Sequence, residues 1–205
     1  MSPEKVSAVF VVIDNLGIIA FAFSGAAAAM KKEADIVGVV ILSLVACSFG
    51  GLARDLLLGD TPPELLRSNR NLMLAAATGL AVYFFYPVLN RMARPLDFFD
   101  ALGLGLFAVA GAEKAMNFGL GAAWSVGLGL TTAVGGGVMR DVMLAQPPTI
   151  FRSEIYASPA ILGALILVAG RGLKPELAPL FMLAGAFVCT GLRLLAIHFG
   201  WHVRR

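Results

Sequence analysis

Apolar residues fall along this chain in long blocks, and polar residues gather in short breaks between them. A helix that crosses the hydrocarbon core of a bilayer needs about 20 predominantly apolar residues. The blocks that approach this length are 8–30, 36–58, 70–90, 98–117, 121–144, 156–172 and 178–199. Lys31-Lys32-Glu33 closes the first block, and Gly59-Asp60-Thr61-Pro62-Pro63 closes the second. Arg91 to Pro95 follows the third, Gln146-Pro147-Pro148 the fifth, and Arg171 to Pro175 the sixth. The break after the fourth, Asn117 to Gly121, is short and nearly apolar, and the sixth block is short. The pattern predicts an all-α chain that crosses the membrane seven times.

Composition agrees with that pattern. Of 205 residues, 59% are hydrophobic and 14% charged, with a mean hydropathy of +0.84. So much apolar surface cannot be hidden inside one small domain in water, because a large share of its residues must face outward. The 23 glycines fit close helix packing in lipid. A net charge of +3 reflects Lys and Arg at membrane-flanking loops. No basic run with interleaved aromatics points to nucleic acid. Cys47 and Cys189 lie inside apolar blocks without metal-ligand spacing, and read as small buried hydrophobes. The start, Met-Ser-Pro-Glu-Lys, lacks a basic segment and cleavage site, so the first block reads as a retained span. Loops on the N-terminal side carry Lys5, Arg67, Arg70, Arg171 and Lys174. The other side carries Lys31, Lys32, Arg91, Arg94, Arg152, Arg204 and Arg205, which favours a cytoplasmic C-terminus.

The chain repeats itself. A shift of 86 residues lays 14–30 on 100–116 without a gap, and nine of the 17 positions are identical. Asp14 meets Asp100, Gly17 meets Gly103, Phe21-Ala22 meets Phe107-Ala108, and Gly25-Ala26 meets Gly111-Ala112. The same shift puts Gly50-Gly51 on Gly136-Gly137 and Arg54-Asp55 on Arg140-Asp141. One residue later is lost, after which Pro62-Pro63 matches Pro147-Pro148 and Arg67 matches Arg152. Repeat one covers about 8–91, repeat two about 97–172, and an extra helix follows at about 178–199, all in one transmembrane domain. Three crossings per repeat place the second copy in the membrane upside down. Inverted repeats of this kind hold a path or site at their interface near the midplane.

Enzyme chemistry is thin. His198 and His202 are the only histidines, both at the C-terminal end and read as interfacial. No catalytic triad or metal cluster stands out, and Gly135-Gly136-Gly137 lacks the lysine of a phosphate loop. No catalytic residue and no metal site is assigned. The glycine clusters Gly50-Gly51 and Gly136-Gly137 serve either close helix packing or a functional break, and their symmetric placement favours a break that exposes backbone carbonyls to a path. A charge at the bilayer centre costs at least about 2.5–3.5 kcal/mol, so Arg54, Asp55, Arg140 and Asp141 are expected inside the protein. Adjacent helix positions point apart, and a two-fold axis would pair Arg54 with Asp141 and Asp55 with Arg140. Interfacial ion pairs are the alternative. Glu113 and Lys114 stand where repeat one has Ala27 and Ala28. Lys114 either lines the path or snorkels to the headgroups. Ser24, Ser48, Thr131 and Thr132 offer hydroxyls to a polar path.

The doubled segments Gly50-Gly51-Leu52-Ala53-Arg54-Asp55 and Gly136-Gly137-Val138-Met139-Arg140-Asp141, each followed by Pro-Pro, resemble the prokaryotic trimeric intracellular cation (TRIC) channel family. Its bacterial members also go by a glycine-transporter domain or as uncharacterised membrane proteins. The resemblance covers about residues 8–199. It implies a seven-helix protomer in a homotrimer, with a pore for monovalent cations, chiefly K⁺, in each protomer. The second and fifth spans would bend at Gly50, Gly51, Gly136 and Gly137 and line that pore. It implies a prokaryotic cell membrane, K⁺ or Na⁺ as permeant ion, no cofactor, and membrane lipid as a partner. Animal members carry Lys-Glu-Val where this chain has Glu113-Lys114-Ala115. A cation channel is the leading expectation, and a secondary carrier of a small solute such as glycine is the alternative.

Overall fold

The structure is a computed structural model that describes residues 3–67, 69–89, 94–152 and 155–201, the first five by backbone alone. Seven long helices carry it: α1 (Pro3–Met30), α2 (Ile36–Leu58), α4 (Arg70–Leu89), α5 (Pro95–Asn117), α6 (Ala122–Met143), α8 (Ala157–Leu173) and α9 (Ala178–Phe199). Two single-turn helices, α3 (Glu64–Arg67) and α7 (Thr149–Arg152), follow the two Pro-Pro pairs. The chain is a polytopic all-α membrane protein of two inverted three-helix repeats, α1-α2-α4 and α5-α6-α8, with α9 as the extra helix. Six stretches are long and apolar enough to cross a bilayer, and α8, at 17 residues, is shorter. Helix α5 begins at Pro95, three residues before the expected start, because proline suits the first turn of a helix. Arg91, Arg204, Arg205 and His202 lie outside the described residues.

Local signals set the helix ends. Asp35 caps α2 by accepting from the Gly38 N–H at 2.8 Å. At its other end Gly59 takes the left-handed conformation, φ 68°, that lets the chain turn out of the helix. Helix α5 sits at the centre, with 72% of its apolar window buried against 17% for α4 at the periphery. Its small residues admit neighbours on every side, and it packs on α1, α6, α8 and α9.

The repeats meet across a two-fold axis whose contacts are reciprocal. Phe21 and Phe107, equivalent at the 86-residue shift, pack ring to ring at 5.2 Å between centroids. A Cβ on Gly17 would strike the Phe107 ring, and a Cβ on its equivalent Gly103 would strike the Phe21 ring. A Cβ on Gly50 would collide with the Thr132 carbonyl, and one on Gly136 with the carbonyl of Ala46, the equivalent of Thr132. Helices α2 and α6 therefore cross backbone to backbone. A Cβ on Gly135 would stand 2.8 Å from the Gly50 Cα. Both helices run without interruption through their glycines, so the expected break is absent. The close crossing explains why: a helix whose missing side chains are replaced by a neighbour's backbone keeps its own hydrogen bonds.

Candidate functional site

Each Arg-Asp pair anchors a polar cluster, one at each end of the bundle. At the end where α2 and α5 finish, Arg54 Nε donates to Asp55 Oδ1 at 2.8 Å, and Asp55 Oδ2 accepts the Glu64 backbone N–H at 3.0 Å. Lys114 reaches in from α5, its Nζ 2.7 Å from both Asp55 Oδ1 and Asp60 Oδ2 and 3.4 Å from Glu64 Oε2. Asp60 also accepts from Arg67, and Asp14 pairs with Arg70 at 3.3 Å. The Lys114 hydrogen bond, aided by Arg67, holds the Asp60 carboxyl below the usual carboxylate range against the opposing effect of burial. This cluster surrounds a cavity of about 30 Å³ lined by Asp14, Cys47, Ser48, Gly51, Arg54, Asp55, Glu64, Asn71, Phe107 and Thr132, among others. That is room for a water-sized occupant.

The equivalent cluster at the opposite end is packed around Tyr156. Arg140 Nε donates to Asp141 Oδ1 at 2.9 Å, and Asp141 Oδ2 accepts both the backbone N–H and the hydroxyl of Thr149 at 2.8 Å. Arg140 Nη1 bonds Asp100 Oδ1 at 2.6 Å and donates to the Ser24 hydroxyl. Tyr156, 1% exposed, fills the space beside them, and the Arg193 guanidinium lies 4.8 Å over its ring. Charges this deep are stable only because each finds a partner.

These contacts overturn the cross-pairing of Arg54 with Asp141 and of Asp55 with Arg140. Each arginine turns back along its own helix to the carboxylate next in sequence, a reach that its long side chain permits although the Cβ atoms diverge. The two pairs lie at opposite ends, since α2 and α6 are related by the inversion. The halves are tied instead by Lys114 to Asp55 and by Arg140 to Ser24. Lys114 is buried and does not snorkel outward. Glu113 binds Arg171 of α8 at 2.7 Å rather than its neighbour. Ser48 and Thr132 line the cavity, whereas Thr131 bonds the Gly127 carbonyl at 2.9 Å within its own helix. Cys47, expected as plain packing, also lines the cavity.

Asp14, Asp60, Glu64, Asn71, Asp100, Tyr156 and Arg193 join these clusters without having been singled out in the sequence. The identity of Asp14 and Asp100 at the repeat offset was the available signal. The rest became neighbours only through the fold.

A family model described as glycine transporter matches the chain twice, over residues 11–87 and 97–171. A UPF0126 membrane protein of Deinococcus radiodurans is 36% identical over 195 residues, covering 94% of this chain and 86% of its own length. The UPF0126 membrane protein YvgT of Bacillus subtilis is 35% identical over 188 residues, 91% of each. The crystal structure of a TRIC trimeric intracellular cation channel orthologue from Rhodobacter sphaeroides aligns with a TM-score of 0.88 at 35% identity, over 94% of this chain and 99% of that one.

Proposed function

The chain belongs to the prokaryotic TRIC channel family, which the glycine-transporter model and the UPF0126 membrane proteins also represent, and on that premise we propose that it is a cation channel conducting monovalent cations, chiefly K⁺. Each protomer of a homotrimer carries its own pore along the crossing of α2 and α6, in the cell membrane and with the C-terminus in the cytoplasm. Membrane lipid surrounds the trimer, and K⁺ or Na⁺ is the permeant ion.

The observation that carries this reading is the charge of the cavity. Its lining has three carboxylates (Asp14, Asp55 and Glu64) against one guanidinium (Arg54), a balance that draws cations to a narrow polar site. Lys114 and Arg70, which pair with these carboxylates at the same end, offset part of that charge and set how strongly it acts. The positive groups, which alone would repel cations, are each committed to a carboxylate.

A carrier of glycine would need an occluded site with an anchor for both carboxylate and ammonium. Flux separates the readings. Liposomes loaded with K⁺ and holding the purified protein should lose it down its gradient without counter-transport, and should not accumulate glycine. Saturable glycine uptake with no K⁺ leak would replace the channel by a carrier.

A further inference from the structure

The two halves repeat one another at the glycine crossings and the Arg-Asp pairs, yet differ beside those pairs, at Lys114 and also where one half leaves a cavity. The offset that lays Pro62-Pro63 on Pro147-Pro148 and Arg67 on Arg152 lays Asn71 on Tyr156. In the first half, Asn71 and Gly51 border the cavity, and a Cβ on Gly51 would meet nothing nearer than Arg54 Nη2 at 3.7 Å. In the second half that space is filled. The Tyr156 hydroxyl lies 2.8 Å from where a Cβ on Gly137 would stand. The buried hydroxyl sits beside the Asp100 carboxylate and interacts with it. The bulk of the ring and its hydroxyl occupy the space that stays open beside Asn71 in the first half.

Helix α9, which has no counterpart in the repeats, supplies the clamp. Arg193 lies over the Tyr156 ring and donates from Nη1 to the Ile155 carbonyl at 2.8 Å, the residue just before it. The guanidinium is thus fixed to the backbone that carries the tyrosine, with its face on the ring.

We propose that Tyr156 is the conduction-limiting residue of the pore. Its ring stoppers the second-half end of a path whose first-half end is the cavity beside Asn71, and Arg193 holds it in place. Conduction requires the ring to leave Gly137. This inference rests on the channel reading, and deepens it by naming the residue that separates closed from open.

The test compares wild type with Tyr156→Phe, Tyr156→Asn, Asn71→Tyr and Arg193→Gln in planar bilayers under KCl. Tyr156→Asn, which copies the first half, and Arg193→Gln should each raise open probability several-fold. Tyr156→Phe keeps the ring and should raise open probability far less than Tyr156→Asn, and Asn71→Tyr should lower unitary conductance. Wild-type gating in Tyr156→Asn overturns the proposal, and if that variant does not fold, wild-type gating in Arg193→Gln does so. A second readout needs no current: the rate at which Ag⁺, a small monovalent cation supplied only from the Tyr156 side of the membrane, reacts with cavity-lining Cys47 in a Cys189→Ala background. If every protein is silent in bilayers, the channel reading fails and this rate judges the stopper alone. Faster reaction in Tyr156→Asn than in Tyr156→Phe supports it, and equal rates overturn it.

Discussion

Phe21 and Phe107 are the same position of the two repeats, and their rings meet at 5.2 Å on the axis that relates the halves. A residue touches its own equivalent only on such an axis. Around that contact the glycines fall in reciprocal pairs, Gly17 with Gly103 and Gly50 with Gly136, each receiving an atom from the other half. The duplication thus builds the interface from one set of contacts used twice.

Alanine at Gly50 or Gly136 puts a methyl group into the opposing backbone carbonyl, which cannot turn aside as a side chain can. Each substitution should destabilise the folded protein by about 1–3 kcal/mol, the usual cost of overpacking. Gly127→Ala, where a Cβ meets open space, should be neutral or slightly stabilising. Thermal unfolding in detergent reads the difference. Equal melting temperatures for all three would mean that α2 and α6 do not cross this closely.

Arg140 and Asp100 are both buried and bonded at 2.6 Å. Removing Arg140 leaves buried carboxylates uncompensated, so Arg140→Met should cost about 3–5 kcal/mol, whereas Asp100→Asn leaves Arg140 its Asp141 partner and should cost less. The double variant should cost less than the sum, because Asp100 is then no longer a carboxylate facing a lost arginine. A double-mutant cycle on unfolding free energies checks this, and strict additivity would show that the two groups do not interact.

Lys114 neutralises carboxylates at the cavity mouth, so Lys114→Gln should raise K⁺ conductance at low salt. The gain should shrink as KCl rises and the Debye length falls from about 10 Å at 0.1 M to about 3 Å at 1 M. Unitary conductance across a KCl series measures it. A salt-independent change, or a fall, would remove Lys114 from the ion path.

Asp60 gives a pH dependence. Its folded pKa lies below the unfolded value of about 3.9, so its contribution is fully present above that value and is lost as pH falls through the folded one. Losing the Lys114 bond should raise the folded pKa toward the unfolded value, so that the contribution shrinks and the acid loss below about pH 4 becomes shallower. Melting temperature followed from neutral to acid pH, wild type beside Lys114→Gln, tests the shift. Superimposable profiles would mean that Lys114 does not hold Asp60.

The spans and the repeat were legible because both are written locally: apolar blocks interrupted by Lys31-Lys32-Glu33 or Gln146-Pro147-Pro148, and identities at one offset. Partners were not. Lys114 and Asp55 are 59 residues apart, and only the close of α2 beside the close of α5 brings them within 2.7 Å. The cross-pairs failed for a related reason, since inversion sends equivalent residues to opposite ends. Helices α3 and α7, at four residues, are too short for periodicity to reveal. Asn71 and Tyr156 carried no signal at all, because what matters about them is that they differ.

Single-channel recording of the purified protein in a planar bilayer under a KCl gradient tests the central claim most directly. The account predicts discrete openings that reverse near the K⁺ equilibrium potential, with a conductance altered by Lys114→Gln. Openings that reverse near the Cl⁻ potential, or bilayers that stay silent while the same protein accumulates glycine in liposomes, would contradict it.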